Sequence, residues 1–513
     1  LVNIVNPKMR GESRARASRM EDRMRLVTRT IALGVLPCVV VASACSQSNT
    51  ATDSGAPPAG DSGPPPAAGG TGAFGIVTIG GKQKMYLPQN ATFDFDSGTE
   101  VGVIAVVDVS ATAAPAPSDG GSAATPALIT NISLPTPGSE AGSFDAQYAT
   151  ATGGDASVVV AVSSAFPTVW FIDPNTDRVT DTLSLGDTYG QSSFSGGGGY
   201  VTGVAVDSPH GRAVLSVWNG YVLIDLATRT VASTILAPAA ENFGYDSVTQ
   251  RIYSPFYGCT DAQGPSGEAA PSCSDPKGPD GVTVMTDGLQ VIDLADPDHT
   301  VYTYENPDPD PSLLSATPNQ PVGSEPDSAA VDPTTGVVVV PSEGDTFQSI
   351  IDMSKAVFDK TANTVTAPRR VIDTSAVSGL DAVAIEPTSH IALFEAEFDT
   401  QVAAADLTLA NQGNASWAYS DMPFLPDGSS FENIGDPHGL AVTTALVGGA
   451  PVGFVVDGSL RWVGRIQFAQ IAAQASGDAG VSLDPAGLGA PDAGVGLNGI
   501  GPFVTYLDVT TLE

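Results

Sequence analysis

V-T-G-V-A-V-D-S-P-H-G-R-A-V-L-S-V-W-N-G-Y-V-L-I-D-L-A-T-R-T-V-A-S-T-I occupies residues 201–235, and its punctuation decides the fold. An alternating apolar run ends in Ala205-Val206-Asp207, a Pro/Gly turn follows at 207–212, and a second apolar run leads to Val217. A third run closes on Ile224-Asp225, and a Val/Thr-rich run completes the unit. Short β-branched runs joined by tight turns read as the strands of a four-stranded antiparallel meander, because consecutive hairpins set neighbours side by side.

The unit recurs. W-F-I-D-P-N-T-D-R-V-T-D-T-L at 170–183 and L-Q-V-I-D-L at 289–294 repeat its second half, while D-P-T-T-G-V at 332–337 and E-P-T-S-H-I at 386–391 repeat its turn. An apolar run ends in aspartate at Asp108, Asp173, Asp225, Asp293, Asp352, Asp406 and Asp508, mostly 52–68 residues apart. Units begin near Phe74, Asp145, Val201, Asn242, Asp327, Asp381 and His438. Self-similarity at this period indicates an all-β array repeated around an axis: a seven-bladed β-propeller of four-stranded antiparallel blades. A last strand, Phe503 to Val509, completes the seventh unit beside the first, so that the ring closes and hides its edges. The recurrent aspartates read as turn-fixing groups that accept N–H bonds from residues just downstream. Asp173–Asp177 superficially resembles a calcium loop, but it lacks the sixth-position Gly and the Glu at position twelve, so it reads as a turn.

The alternation V-A-V-D-x-P-x-G-R…V-x-x-I-D-x-x-T-x-x-V-x-x-T-I resembles the YVTN-type repeat of bacterial seven-bladed propellers, which include surface proteins and lactonase-like relatives. The resemblance spans most of residues 74–510. Blades two, three and five carry it best; blades one, four and seven depart from it. It implies the fold and leaves the function open.

Ahead of the propeller the composition changes. A basic stretch from Met24 to Arg29, an apolar run from Ile31 to Val41 and then Ala42-Ser43-Ala44-Cys45 have the order of a signal peptide, too short for a membrane span. Residues 1–44 are read as an overextended start plus this signal. Cys45 resembles the lipidated cysteine of bacterial lipoproteins, although Ala42 stands where Leu is usual and Ala-Ser-Ala also suits ordinary signal cleavage. Residues 45–72 then form a flexible Ser/Pro/Gly-rich tether, and 73–513 the propeller, interrupted by a disordered excursion at 473–499. The expected location is the cell envelope: an outer-membrane lipoprotein, or a periplasmic or extracellular protein. Cys259 and Cys273, close together in an oxidising compartment, read as a disulfide pinning a long loop.

Charge sets a further bound. The chain carries a net charge of −35. The first 44 residues hold 8 of its 21 Lys and Arg but only 3 of its 56 Asp and Glu, which leaves 13 basic against 53 acidic residues in the remainder. Such a field repels nucleic acid and anionic lipid and concentrates cations, so any membrane contact should come through the lipid alone.

The sequence contains no G-x-S-x-G, P-loop, H-E-x-x-H or zinc-type Cys/His spacing. One constellation stands out. Five residues before the end of each inner strand lie Thr202, Glu241, Asp327, Asp381 and His438, with Gln147 in blade two. In a propeller these positions surround one mouth of the central channel. Glu241, Asp327, Asp381 and His438 there would suit a divalent cation: Ca²⁺ or Mg²⁺ by their oxygens, with Mn²⁺ or Zn²⁺ permitted by the imidazole. Solvated polar groups lining a water-filled channel are the plainer reading. The expectation is a monomeric envelope-anchored binding or scaffold propeller whose protein, glycan or small-ligand partner meets the channel-mouth face, without catalysis of its own. The alternative is a metal-dependent lactonase-like hydrolase.

Overall fold

The computed structural model describes residues 74–94, 99–110, 125–134, 148–152, 157–163, 167–185, 201–217, 220–237, 242–256, 287–306, 321–374, 377, 379–396, 400–408, 417–422, 424–431, 442–467 and 504–509. Cys45, Cys259 and Cys273 lie outside them, as do the signal, the tether and the excursion. The chain divides into a unit ending at Gly63 and a second unit, Pro64–Glu513, to which all the strands belong.

Each blade is an antiparallel meander numbered outward from the axis. Blade one comprises β1 (Gly75–Ile79), β2 (Lys82–Asp94), β3 (Thr99–Asp108) and β5 (Leu128–Leu134), with the short β4 (Thr125–Pro126) before its outer strand. Blade two comprises β6 (Tyr148–Thr152), β7 (Val159–Ser163), β8 (Thr168–Asp173) and β9 (Arg178–Ser184). Blade three holds β10 (Val201–Asp207), β11 (Arg212–Val217), β12 (Gly220–Asp225) and β13 (Thr230–Leu236). Blade four holds β14 (Gly244–Asp246), β15 (Arg251–Phe256), β16 (Gly288–Asp293) and β17 (Val301–Glu305). Blade five runs β18 (Ala330–Asp332), β19 (Val337–Val340) and β20 (Phe347–Asp352), then a small hairpin, β21 (Val357–Asp359) and β22 (Thr364–Thr366), before its outer β23 (Arg369–Asp373). Blade six is β24 (Leu380–Glu386), β25 (Ile391–Ala396), β26 (Gln401–Asp406) and β27 (Trp417–Asp421). Blade seven is β28 (Val442–Val447), β29 (Ala450–Val456), β30 (Trp462–Gln467) and β31 (Val504–Asp508).

The middle strands are apolar on both faces because every blade is covered on both sides. Successive side chains of a strand point to opposite faces. Met85 and Leu87 of β2 therefore pack against blade seven, while Tyr86 between them packs against blade two. Seven hydrophobic clusters fill the seven interfaces between successive blades, including that between blades seven and one. The ring is closed. Trp170, fully buried, lies in the cluster between blades one and two.

The face on which inner strands begin is called upper here, and the face on which they end, lower. Six of the seven recurrent aspartates end third strands on the lower face. Asp108, Asp173, Asp225, Asp293 and Asp406 accept bonds from the amides of Ser110 (3.1 Å), Asn175 (2.8 Å), Thr228 (2.7 Å), Ala295 (3.0 Å) and Thr408 (2.9 Å). These bonds to the ionised form hold the Asp173 and Asp225 carboxyls below their ordinary value. Asp508 is the exception. It ends β31, an outer strand, so it caps no turn between a third and a fourth strand.

Two outer strands gain a neighbour from the next blade. The β21–β22 hairpin of blade five reaches back to β17, with β22 parallel to it. Phe358 meets Tyr302 edge-on at 4.9 Å and lies 4.2 Å under the Arg251 guanidinium. In the same way β4 of blade one pairs in parallel with β31 of blade seven, and the Ala127 amide donates to the Asp508 carbonyl at 3.1 Å.

Candidate functional site

Blade-to-blade polar clasps decorate the lower face. Asp207, fully buried at the end of β10, faces His210 Nδ1 at 2.9 Å and accepts from Arg212 Nε at 3.0 Å and from the Tyr245 hydroxyl of blade four. Arg212 also donates to Tyr245 (3.0 Å) and Gln250 (2.8 Å). Burial first, then the bond to Asp207, pushes the Tyr245 phenol up, so it remains a donor. Asp332 of blade five likewise meets His390 of blade six at 2.7 Å, and it accepts from Thr334 and Thr335. Each carboxylate is surrounded by turn donors and by the next blade. His210 and His390 thus brace turns, consistent with their positions in the repeat.

Of the predicted constellation, Thr202, Asp327 and Asp381 are among the described residues, near the upper starts of their inner strands. Glu241 and His438 lie outside the described residues, as does Gln147. Asp381 and Thr202 occupy the same special position: each is the extra residue of a β-bulge at the start of its inner strand. In β24 the register steps from Leu380 to Ala382, and in β10 from Val201 to Gly203, while the partner strand advances by one. A bulge turns a side chain out of the ladder's alternation, as a ligand-facing residue at a rim requires. Asp327 precedes β18 in an extended segment.

Asp327 and Asp381 are buried, at 8% and 5% exposure. Main-chain and hydroxyl bonds bind their neighbourhoods together across three blades. The Asn242 amide of blade four donates to the Asp327 carbonyl at 3.1 Å, and the Ser328 hydroxyl donates to the Asp381 carbonyl. Around them stand more acids. Glu325 is destabilised as an anion first by burial and then by Glu343, Asp287 and Asp345, all of which raise its pKa. The Asp345 carboxylate is itself held by the Ser324 amide at 2.7 Å. This side of the upper face therefore favours positive charge. Among the described residues no three His, Cys, Asp or Glu side chains come together as a metal cage, and two of the four expected ligands are not among them.

No protein-family model matches this sequence, and a comparison with curated proteins returns no match. Solved structures align with it at low identity. Hydrazine synthase of Kuenenia stuttgartiensis aligns at 12% identity over 68% of this chain and 82% of its own, with a TM-score of 0.43. A functionally unknown protein from Desulfotomaculum acetoxidans aligns at 10% identity over 72% and 89%, also at 0.43. A streptogramin B lyase aligns at 10% identity over 62% and 79%, at 0.37. Its own seven blades, each packed on the next, make the chain a seven-bladed β-propeller.

Sequence reasoning missed a buried polar feature of blade four. Gln290 of β16 is fully buried, yet neither its amide nitrogen nor its carbonyl oxygen is hydrogen-bonded. Alternation puts it on the side of blade four that carries Ile292, facing blade three and Tyr221. A lone Gln in an apolar run was the available signal. Unpaired buried polar atoms call for a water or a ligand.

In blade one, β2 and β3 stay paired beyond Gln89. After a bulge, Thr92 pairs with Val101, Phe93 with Glu100 and Asp94 with Thr99.

Proposed function

We propose that this protein is an exported, envelope-anchored propeller that binds a partner or small ligand at the upper mouth of its channel, with a divalent cation as part of that site. The carrying observation is Asp381: a buried carboxylate on a β-bulge, bonded through its carbonyl to Ser328 and flanked by buried Asp327. Glu241, Asp327, Asp381 and His438 are the proposed ligands, with Ca²⁺ or Mg²⁺ favoured by the oxygen-rich set. Cys45 is the proposed lipid anchor and Cys259–Cys273 the proposed disulfide, both resting on sequence alone. A lactonase-like hydrolase remains the second reading, because the same acidic mouth would serve a cation in either role.

The test is thermal. A cation at a hundredfold excess over its Kd stabilises a fold by about 2.7 kcal/mol. Chelator should therefore lower the melting temperature, and Asp327→Asn with Asp381→Asn should abolish that sensitivity. If chelator does nothing and the double substitution raises the melting temperature, the carboxylates merely repel each other and the site is lost. A lactone and ester screen on the cation-loaded protein separates the two readings.

A further inference from the structure

The seven outer strands are not finished alike. β17 and β31 each receive a parallel strand from the next blade. β9 and β13 are reached instead by a side chain from the following blade's tight turn. At corresponding left-handed turn positions stand Asp177 (φ 53°), Arg229 (φ 55°) and His299 (φ 49°). Arg229 pairs with Asp181 of β9 at 3.3 Å, and His299 Nε2 meets the Ser233 hydroxyl of β13 at 3.5 Å.

Asp177 does neither. Lys84 Nζ donates to it at 2.7 Å and the Tyr86 hydroxyl at 2.6 Å, drawing the short side chain inward onto β2 and away from the outer strand. An open groove of about 910 Å³ is left between residues 129–134 of β5 and 176–179 of blade two. β5 ends its sheet, so its outer edge presents main-chain groups with no strand partner among the described residues. Ile129 is exposed, Ile132 and Leu134 are buried, and Arg178 lines the groove without an ion pair among the described residues.

We propose that this groove takes an extended peptide segment of a partner protein, added in parallel to β5. The intramolecular occupants show what suits such an edge: Thr364-Val365-Thr366 beside β17 and Thr125-Pro126 beside β31, all neutral. Parallel addition to an outer strand is thus a form this fold already uses twice. Seven residues of β5 span roughly 23 Å at about 3.3 Å per residue, which admits a strand of about six. Arg178 selects the charge. An unpaired guanidinium in a chain of net charge −35 is complementary to a carboxylate. The occupant is therefore a β-branched, uncharged strand bearing one acidic residue opposite Arg178, bound through main-chain bonds.

The probe is fluorescein-labelled Thr-Val-Thr-Asp-Val-Thr, titrated with the full chain by fluorescence anisotropy. Saturable binding is expected, with hydrogen exchange slowed in residues 128–134. Arg178→Glu should weaken it about five- to tenfold, since an attraction becomes a repulsion of similar size at a half-exposed site. A probe with Lys in place of Asp should lose affinity comparably on the native chain and regain it on Arg178→Glu. That exchange cannot come from misfolding. No saturation at about 1 mM protein, or affinity indifferent to Arg178→Glu, overturns the proposal. So does slowed exchange elsewhere, or a concentration-dependent dimer that occupies the same groove.

Discussion

Replacing Asp207 with Ala removes a carboxylate of zero exposure that holds blade three to blade four. Three groups lose an acceptor: the His210 imidazole, the Arg212 Nε–H and the Tyr245 hydroxyl. Breaking a buried pair by removing one partner costs about 3–5 kcal/mol, because the other charge is left stranded. Here Arg212 keeps Tyr245 and Gln250 as partners, so the loss should sit at the low end, about 3 kcal/mol. Arg212→Ala should cost less, because Asp207 keeps two donors. The double substitution isolates their bond: a coupling energy of about 1.5–3 kcal/mol is expected for a charge-assisted hydrogen bond out of solvent. Urea unfolding followed by tryptophan fluorescence measures all four proteins at a common slope. A loss under about 1 kcal/mol for Asp207→Ala, or additivity of the two single changes, would refute the view that this clasp joins the blades.

Three further outcomes follow from the geometry and two from the sequence. Trp170→Ala, in the interface between blades one and two, should destabilise by about 3–5 kcal/mol in the same assay. Gly220→Ala should cost about 3 kcal/mol or more: φ is +152°, and an added Cβ would lie 1.9 Å from the Ile235 carbonyl oxygen. The Lys360 hydrogen bond holds Asp296 at about 2, below its ordinary 3.8, so that bond contributes above pH 4 and is lost as pH falls toward 2. Amide exchange in residues 357–366 should accelerate over that window in native protein and show less pH dependence in Lys360→Met. Lastly, Cys45→Ala should move the protein from the membrane to the soluble fraction, and mass analysis without reductant should show Cys259 linked to Cys273.

The blade starts were legible because burial on both sides of a sheet writes itself as repeated β-branched runs. Asn242, Asp327 and Asp381 stand within three residues of β14, β18 and β24. The turn role of the aspartates was equally readable, since it needs only local bonds. Asp508 misled because an apolar run ending in Asp looks the same whether the strand is third or fourth in its blade. The strand additions were invisible for a different reason. Thr125–Pro126 and Thr364–Thr366 are two and three residues long, too short to show a period, and pair only with strands distant in sequence. Of the proposed mouth, the alignment named Asp381 as the residue five before the end of its inner strand, and β24 runs from Leu380 to Glu386. Nothing in it foretold the bulge that sets that residue apart, nor the bond from Ser328 that fixes it.

The pairing of β4 with β31 also has a consequence for the order of assembly. Blade one is complete by Leu134, yet the edge that β4 covers belongs to residues 504–508, which are synthesised after every other strand of the ring. Until they arrive, β30 has a bare flank and the apolar surfaces on both sides of blade seven lack Val504, Tyr506 and Leu507. A contact spanning so much of the chain forms late and slowly, because its loop entropy must be overcome first. A chain clipped just before Val504 would thus keep six blades and lose its lock. Residues 504–508 govern whether the blades before them hold as a circle or stay an open, sticky arc.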